Sequence, residues 1–193
     1  MRNSARWFYE RCELFISLKN KQTKGYTQVY TGNGKGKTTA AFGLALRAVG
    51  AGKKVFFAQF VKRKIYAEIE AVNKFLPDIT IKQYGLGCFI VKNPTQKDID
   101  AAQKGLAEVT EIIQSGQYDV VILDEANIAL YYELFPVKSL LETIRKKPEN
   151  TELIITGRYA PQEIIDIADL VTEMKEIKHY YQNGVNARKG IEF

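Results

Sequence analysis

The run Gly32-Asn33-Gly34-Lys35-Gly36-Lys37-Thr38-Thr39 carries the residue types best suited to holding a phosphate chain. Glycines let several backbone N–H groups face one anion without obstruction from Cβ. A helix opening at Thr38 adds a partial positive charge at its N-terminus. Lys37 adds a full charge for phosphate oxygens, and the Thr38 hydroxyl can ligate magnesium. All eight residues, from Gly32 to Thr39, are candidate nucleotide ligands. The ending Gly-Lys-Thr is that of a P-loop. The usual first glycine is replaced by Thr31, and glycines stand instead at 32, 34 and 36, so a shifted or tighter turn is expected.

A second element is Val120-Val121-Ile122-Leu123-Asp124-Glu125, four apolar residues ending in two carboxylates. It matches a strand whose acid helps hold magnesium beside the phosphates. Alone, such an end also serves as a helix cap; a P-loop upstream favours the metal reading. Asp124 is assigned to the metal with Thr38, and Glu125 to the nucleotide. Which acid makes direct contact stays open. Asn127 and Tyr131 follow and can line the same crevice. Arg47 and Arg158 are candidate phosphate ligands, since arginine keeps its charge when buried against an anion. On spacing alone, Arg47 reads equally as a surface residue, and Arg158 equally as half of a salt bridge.

These side chains need elements to place them. Tyr26–Thr31 reads as a strand before the glycine turn, and Thr38–Val49 as the helix after it, ended by Gly50 and Gly52. Further strands are expected at Lys54–Phe60, Ile79–Tyr84, Asp119–Leu123, Glu152–Thr156 and Asp169–Met174. Helices are expected at Ile65–Leu76, Gln96–Ser115, Val137–Lys147 and Pro161–Ala168. Alternating strands and helices give an α/β fold, mainly parallel, with helices on both faces. Ligands of such sheets sit at the carboxyl ends of the strands, where both motifs fall. Residues 1–25 read as an amphipathic helical arm with Trp7, Phe8, Leu14, Phe15 and Leu18, then a polar linker. Residues 26–193 read as one domain.

Charge is uneven along the 193 residues. The formal net charge is +6. Residues 1–24 carry +4. Residues 25–64 carry eight basic and no acidic residues. Residues 65–193 carry 14 basic against 20 acidic residues, or −6. A basic block raises nucleic acid or a phosphate-rich ligand as partner. Two cysteines and one histidine exclude a disulfide framework and a histidine-rich metal site. No apolar run reaches the ~20 residues that span a bilayer, and Glu10, Arg11 and Glu13 interrupt any signal-peptide core. A cytoplasmic location, with no membrane partner, is expected.

Tyr30 to Gly43, with Arg47 after it, resembles the ATP:corrinoid adenosyltransferases of the CobA type. Gln59-Phe60-Val61-Lys62 looks like that family's second strand end, and Val121–Glu125 like its acidic strand. Thr156-Gly157-Arg158, Ala160 and Ala168–Met174 are similar to its late segment. So are Lys178-His179-Tyr180, Gly184, Ala187 and Gly190-Ile191-Glu192. The resemblance accounts for the variant glycine loop. It implies a RecA-like P-loop NTPase fold and a homodimer. The implied reaction moves the 5′-deoxyadenosyl group of ATP to cobalt(I) of a reduced corrinoid and leaves tripolyphosphate. Magnesium, or manganese, would serve the triphosphate. A reductase such as a flavoprotein would supply electrons. No nucleic acid partner is implied. Cobalt(I) is its own nucleophile and carries no proton, so neither a protein nucleophile nor a general base is needed. Lys37, Thr38, Arg47 and Arg158 would meet the charge on the leaving phosphates.

The sequence departs from the family in two places. A gapless match puts Cys88 and Ile90, with Phe89 between, where the family often has aromatic residues that help displace the corrinoid's lower ligand. Lys62–Ile69 lacks a glycine-rich stretch expected after the second strand. The competing reading is a RecA-type ATPase acting on nucleic acid, which would make ADP and phosphate instead. A nucleoside kinase and a non-catalytic corrinoid carrier are further alternatives.

Overall fold

The computed structural model describes residues 24–62, 66–87 and 93–192. The helical arm, Arg63 and Lys64, and Cys88, Phe89 and Ile90 lie outside the described residues.

Six strands form one parallel sheet. They are β1 (Thr27–Thr31), β2 (Val55–Gln59), β3 (Ile79–Gln83), β4 (Val120–Asp124), β5 (Glu152–Thr156) and β6 (Leu170–Glu173), in the spatial order β3-β2-β4-β5-β1-β6. The helices are α1 (Lys37–Gly50), α2 (Ala67–Phe75), α3 (Gln96–Ser115), α4 (Ala126–Tyr131), α5 (Val137–Arg145) and α6 (Gln162–Ile167). The chain moves toward the β3 edge from β1 to β2 to β3, and α1 and α2 pack on one face. It then moves back through β4, β5 and β6, and α3 to α6 pack on the other. Crossovers of one hand require this exchange of faces.

Central strands β2 and β4 are buried along their whole length, so they read as apolar runs without alternation. α1 presents Ala41, Ala45 and Ala48 to Phe57, Ile122 and Ile154. These small residues at helical spacing let the helix lie close to the sheet. Phe42 fills the space beside them and stacks on Phe57, ring centroids 4.1 Å apart. α3 buries Ala102, Leu106, Val109 and Ile113 as one stripe against the opposite face. A Thr95–Asp98 capping box starts it, and Gly116 in the left-handed region (φ 64°) ends it.

The expected strands and all five expected helices are present, with ends shifted by at most two residues. α4 and a 3₁₀ turn at Tyr180–Asn183 are additional. At the carboxyl ends, the loop after β1 leaves toward one face while the loops after β4 and β5 leave toward the other. The crevice between them is the sheet's topological switch point, where ligands of α/β sheets bind.

Candidate functional site

The glycine turn fills the space after β1, and its glycines have physical causes. Gly32 and Gly36 hold left-handed backbone, with φ of 90° and 119°, which costs other residues more. A Cβ on Gly32 or on Gly34 would lie 2.6 Å from the carbonyl oxygen of Met174. The segment after β6 therefore presses directly on the loop. The Gly34 N–H donates to Met174 O (2.6 Å), and the Met174 N–H donates to Thr31 O (2.8 Å). Thr31, in the place of the usual first glycine, accepts from the Ala160 N–H at 3.3 Å. It thereby ties the loop to the segment after β5.

Lys37 is buried and curls into the turn. Its Nζ donates to the carbonyls of Gly32 (2.6 Å) and Gly34 (2.8 Å). Burial, and then the Arg158 charge, lower its pKa from the ordinary lysine value. A phosphate in the turn would restore the balance by adding negative charge to this ammonium.

Asp124 is fully buried at the end of β4. An unpaired carboxylate there would be costly, but this one accepts hydrogen bonds on both oxygens. Oδ1 takes the Thr38 hydroxyl (2.9 Å) and the Thr156 hydroxyl (2.7 Å). Oδ2 takes Gln59 Nε2 (3.2 Å) and Lys62 Nζ (3.3 Å). Sheet register produces this arrangement, because Gln59 is the β2 partner of Asp124. Glu125 follows in the left-handed region at φ 59°. Its N–H donates to Thr156 Oγ1 (3.1 Å), and its carboxylate pairs with Lys62 at 3.2 Å.

Lys62 was not among the sequence-derived candidates. The structure sets its ammonium between Asp124 and Glu125, 3.4 Å from Thr38 Oγ1. Burial lowers its pKa, but the two carboxylates outweigh burial and raise it overall. Val61 turns the chain there with φ 66°, a genuine outlier for a β-branched residue. Gly85 packs against the same turn: a Cβ on it would lie 2.5 Å from the Val61 carbonyl carbon and 2.6 Å from the Lys62 nitrogen.

These groups open on a cavity of about 770 Å³, within the usual range for a small-molecule site. One wall is the loop from Gly34 to Thr39 with Phe42. The floor has Lys62 and Glu125. The far wall has Ile128, Tyr131, Tyr132, Arg158 and Tyr159, and the tail adds His179, Ile191 and Glu192. Tyr131 and Tyr159 stack with centroids 4.3 Å apart, both half exposed. Val61, Glu125 and Tyr159 have positive φ without being glycine, and each closely follows the end of a strand that borders the cavity. Such strain concentrates at functional sites.

The structure brings together Lys37, Thr38, Asp124, Glu125 and Arg158, with Lys35 and Thr39 on the cavity wall. Arg158 is exposed, with no carboxylate in ion-pair range among the described residues. Lys35 instead donates to Ile191 O (2.9 Å) and pairs with Glu192 (3.2 Å). Glu192 is held further by Arg188 and Tyr180, and these bonds keep its carboxyl below the ordinary range. Gly32 and Asn33 do not line the cavity, although the Gly32 carbonyl anchors Lys37. Arg47 is not brought in: it is exposed in the last turn of α1, ~15 Å along the helix from Lys37. Asn127 is buried under Gly157, donating to its carbonyl at 3.2 Å, and lies off the cavity wall. His179 accepts from the Tyr181 N–H at 3.0 Å, a local bond that caps the 3₁₀ turn.

Among the described residues, no group of three or more His, Cys, Asp or Glu could hold a metal alone. The oxygens of Thr38, Asp124 and Glu125 are hard donors, and Lys62 shows that both carboxylates can share one cation. They fit a magnesium ion that completes its shell with phosphate oxygens and water.

A glycine turn between strand and helix, its lysine, and an acid pair on a nearby parallel strand define a P-loop nucleotide-binding protein. Residues 23–193 match the model of a family described as ATP:corrinoid adenosyltransferase BtuR/CobO/CobP. A corrinoid adenosyltransferase of Sinorhizobium sp is 36% identical over 92% of this chain and 85% of its own length. One from Pseudomonas aeruginosa is 34% identical over 90% and 86%. The corrinoid adenosyltransferase CobA of Salmonella typhimurium is 33% identical over 90% and 88%. The chain belongs to the ATP:corrinoid adenosyltransferase family.

Proposed function

We infer that the chain transfers the 5′-deoxyadenosyl group of ATP to cobalt(I) of a reduced corrinoid, releasing tripolyphosphate. The observation that carries this reading is the convergence of Lys37, Thr38, Asp124, Glu125 and Arg158 at one cavity, in a chain of this family. In the reaction the cobalt–carbon bond forms as the bond from C5′ to the α-phosphate oxygen breaks. The electron pair of that bond passes to the triphosphate, and no proton moves. Nothing in the family membership or in the site favours the nucleic-acid ATPase reading.

The chain's task is alignment and charge stabilisation. Lys37 exchanges its two loop carbonyls for phosphate oxygens. The amino end of α1 adds its partial positive charge toward the same anion. Arg158, free of carboxylate partners among the described residues, closes on the phosphates from the opposite wall. Thr38, Asp124 and Glu125 would hold magnesium, or manganese, between them. Bound there, the ion supplies positive charge to the leaving triphosphate. Tyr131 and Tyr159, stacked and half exposed on the cavity wall, offer flat apolar surface to the corrinoid macrocycle. A homodimer, a reductase partner and a cytoplasmic location belong to the same reading. No helix among the described residues is long and apolar enough to cross a membrane.

Phosphorus NMR of a turnover mixture tests the reaction. Tripolyphosphate as the phosphorus product is expected; ADP and phosphate would support hydrolysis instead.

A further inference from the structure

We propose that Lys62 is a resident cation that occupies the divalent-metal position of the free enzyme, so that metal enters with the triphosphate rather than before it. The inference rests on the reading of Thr38, Asp124 and Glu125 as the metal site. The Lys62 ammonium touches those three side chains: Asp124 at 3.3 Å, Glu125 at 3.2 Å and Thr38 Oγ1 at 3.4 Å. It therefore takes up the donor oxygens that a magnesium ion would need.

The contact is built by the backbone. Val61 holds a left-handed conformation (φ 66°) that β-branched residues rarely adopt. The Lys62 N–H closes a tight turn onto Phe60 O at 2.7 Å. Gly85 lies so close that any side chain would collide with this turn. The stem of Lys62 is thereby fixed in direction, and its side chain is only 13% exposed. Strain of this kind persists only where the surroundings over-determine it.

Charge balance gives the consequence. Lys37 feels the charges of Arg158, Lys62, Asp124 and Glu125, and Lys62 those of Asp124 and Glu125. The acid pair is already matched by cations before any ligand binds: Lys62 touches both carboxylates, and Lys37 acts on them as well. A dication arriving alone would meet the ammonium of Lys62 within a few ångströms, at a cost of several kcal/mol at an effective dielectric of ~20. ATP supplies about four negative charges, which attract both the metal and the displaced ammonium. Lys62 lines the same cavity as the phosphate loop, so its ammonium has phosphate oxygens to move to. The result is an ordered uptake in which the acid pair never stands without a cation.

The test is manganese binding to the full chain, read by electron paramagnetic resonance of the free ion. Wild-type protein without nucleotide should bind Mn²⁺ weakly. Lys62→Met keeps the alkyl stem and removes the charge. It should bind Mn²⁺ alone at least ~10-fold more tightly, a difference of about 1.4 kcal/mol. Its melting temperature should rise with Mn²⁺, while that of wild type should not. Lys62→Arg, which keeps the charge, should behave as wild type and guards against a folding defect in the methionine variant. Equal Mn²⁺ affinity in wild type and Lys62→Met, with Mn²⁺·ATP bound by both, would overturn the inference and leave the site assignment standing. Failure of wild type to bind Mn²⁺·ATP at all would overturn the site assignment, and this inference with it.

Discussion

At the scale of single residues, the site is a network centred on Asp124, whose two oxygens accept four hydrogen bonds. Lys37 carries the most direct prediction. Lys37→Ala should lower turnover by at least ~100-fold, the scale of losing one preorganised charge partner. Initial rates of adenosylated product would show it, and near-normal turnover would contradict the assignment. Thr156 carries another. Its hydroxyl donates to buried Asp124 and accepts the Glu125 N–H. Thr156→Val keeps the shape but leaves the Glu125 N–H and one Asp124 oxygen short of a partner. A loss of ~1–3 kcal/mol is expected, measurable by urea denaturation. At this scale the sequence was informative wherever a motif is local. Lys37, Thr38 and the Asp124–Glu125 pair are legible because their neighbours in the chain define their roles. Lys62 was not legible. Its contact with Asp124 spans 62 residues and exists only because β2 lies beside β4 in the register that sets Gln59 opposite Asp124.

At the scale of elements, the sheet was legible and two short elements were not. Long periodic segments such as Gln96–Ser115 announce themselves through a buried stripe and a capping box. α4 has six residues, four of them buried. It starts from a left-handed Glu125 with no side-chain cap, so neither periodicity nor capping signals it. The close approach of Met174 to the glycine turn was equally hidden, since it depends on β6 pairing with β1. That contact predicts a large effect at Gly34. Gly34→Ala forces a Cβ against the Met174 carbonyl and should weaken ATP binding at least ~10-fold by calorimetry. Gly87, whose Cβ would meet nothing within 4 Å among the described residues, is the control: Gly87→Ala should leave ATP affinity unchanged. Arg47 shows the opposite limit. Its place in the motif suggested phosphate contact, but ten helical residues carry it away from the turn.

At the scale of the whole molecule, the carboxyl end of the described chain returns to the site. The tail reaches back through Glu192 to Lys35 of the phosphate loop. Arg188, Tyr180 and Lys35 hold the Glu192 carboxyl below its ordinary range. A carboxyl with a depressed folded-state pKa stabilises the fold above its unfolded value, and loses that contribution as pH falls through the folded one. The tail should therefore loosen on acidification below the ordinary carboxylate range. Heteronuclear NOEs at Arg188 and Glu192 should fall there, and Glu192→Gln should reproduce the fall at neutral pH. Unchanged NOEs in both would contradict the latch. The basic block of residues 25–64 also resolves at this scale. Lys37 holds the phosphate turn, Lys35 the tail and Lys62 the acid pair, so three of its charges converge on one cavity. Net charge alone had left nucleic acid open; the fold gathers that charge around the space for a nucleotide.

The most direct test of this account combines the protein with ATP, magnesium and chemically reduced cobalamin, and follows the visible spectrum. The predicted result is the band of a new carbon–cobalt bond, growing with time and dependent on ATP. No spectral change, with ADP accumulating instead, would contradict adenosyl transfer.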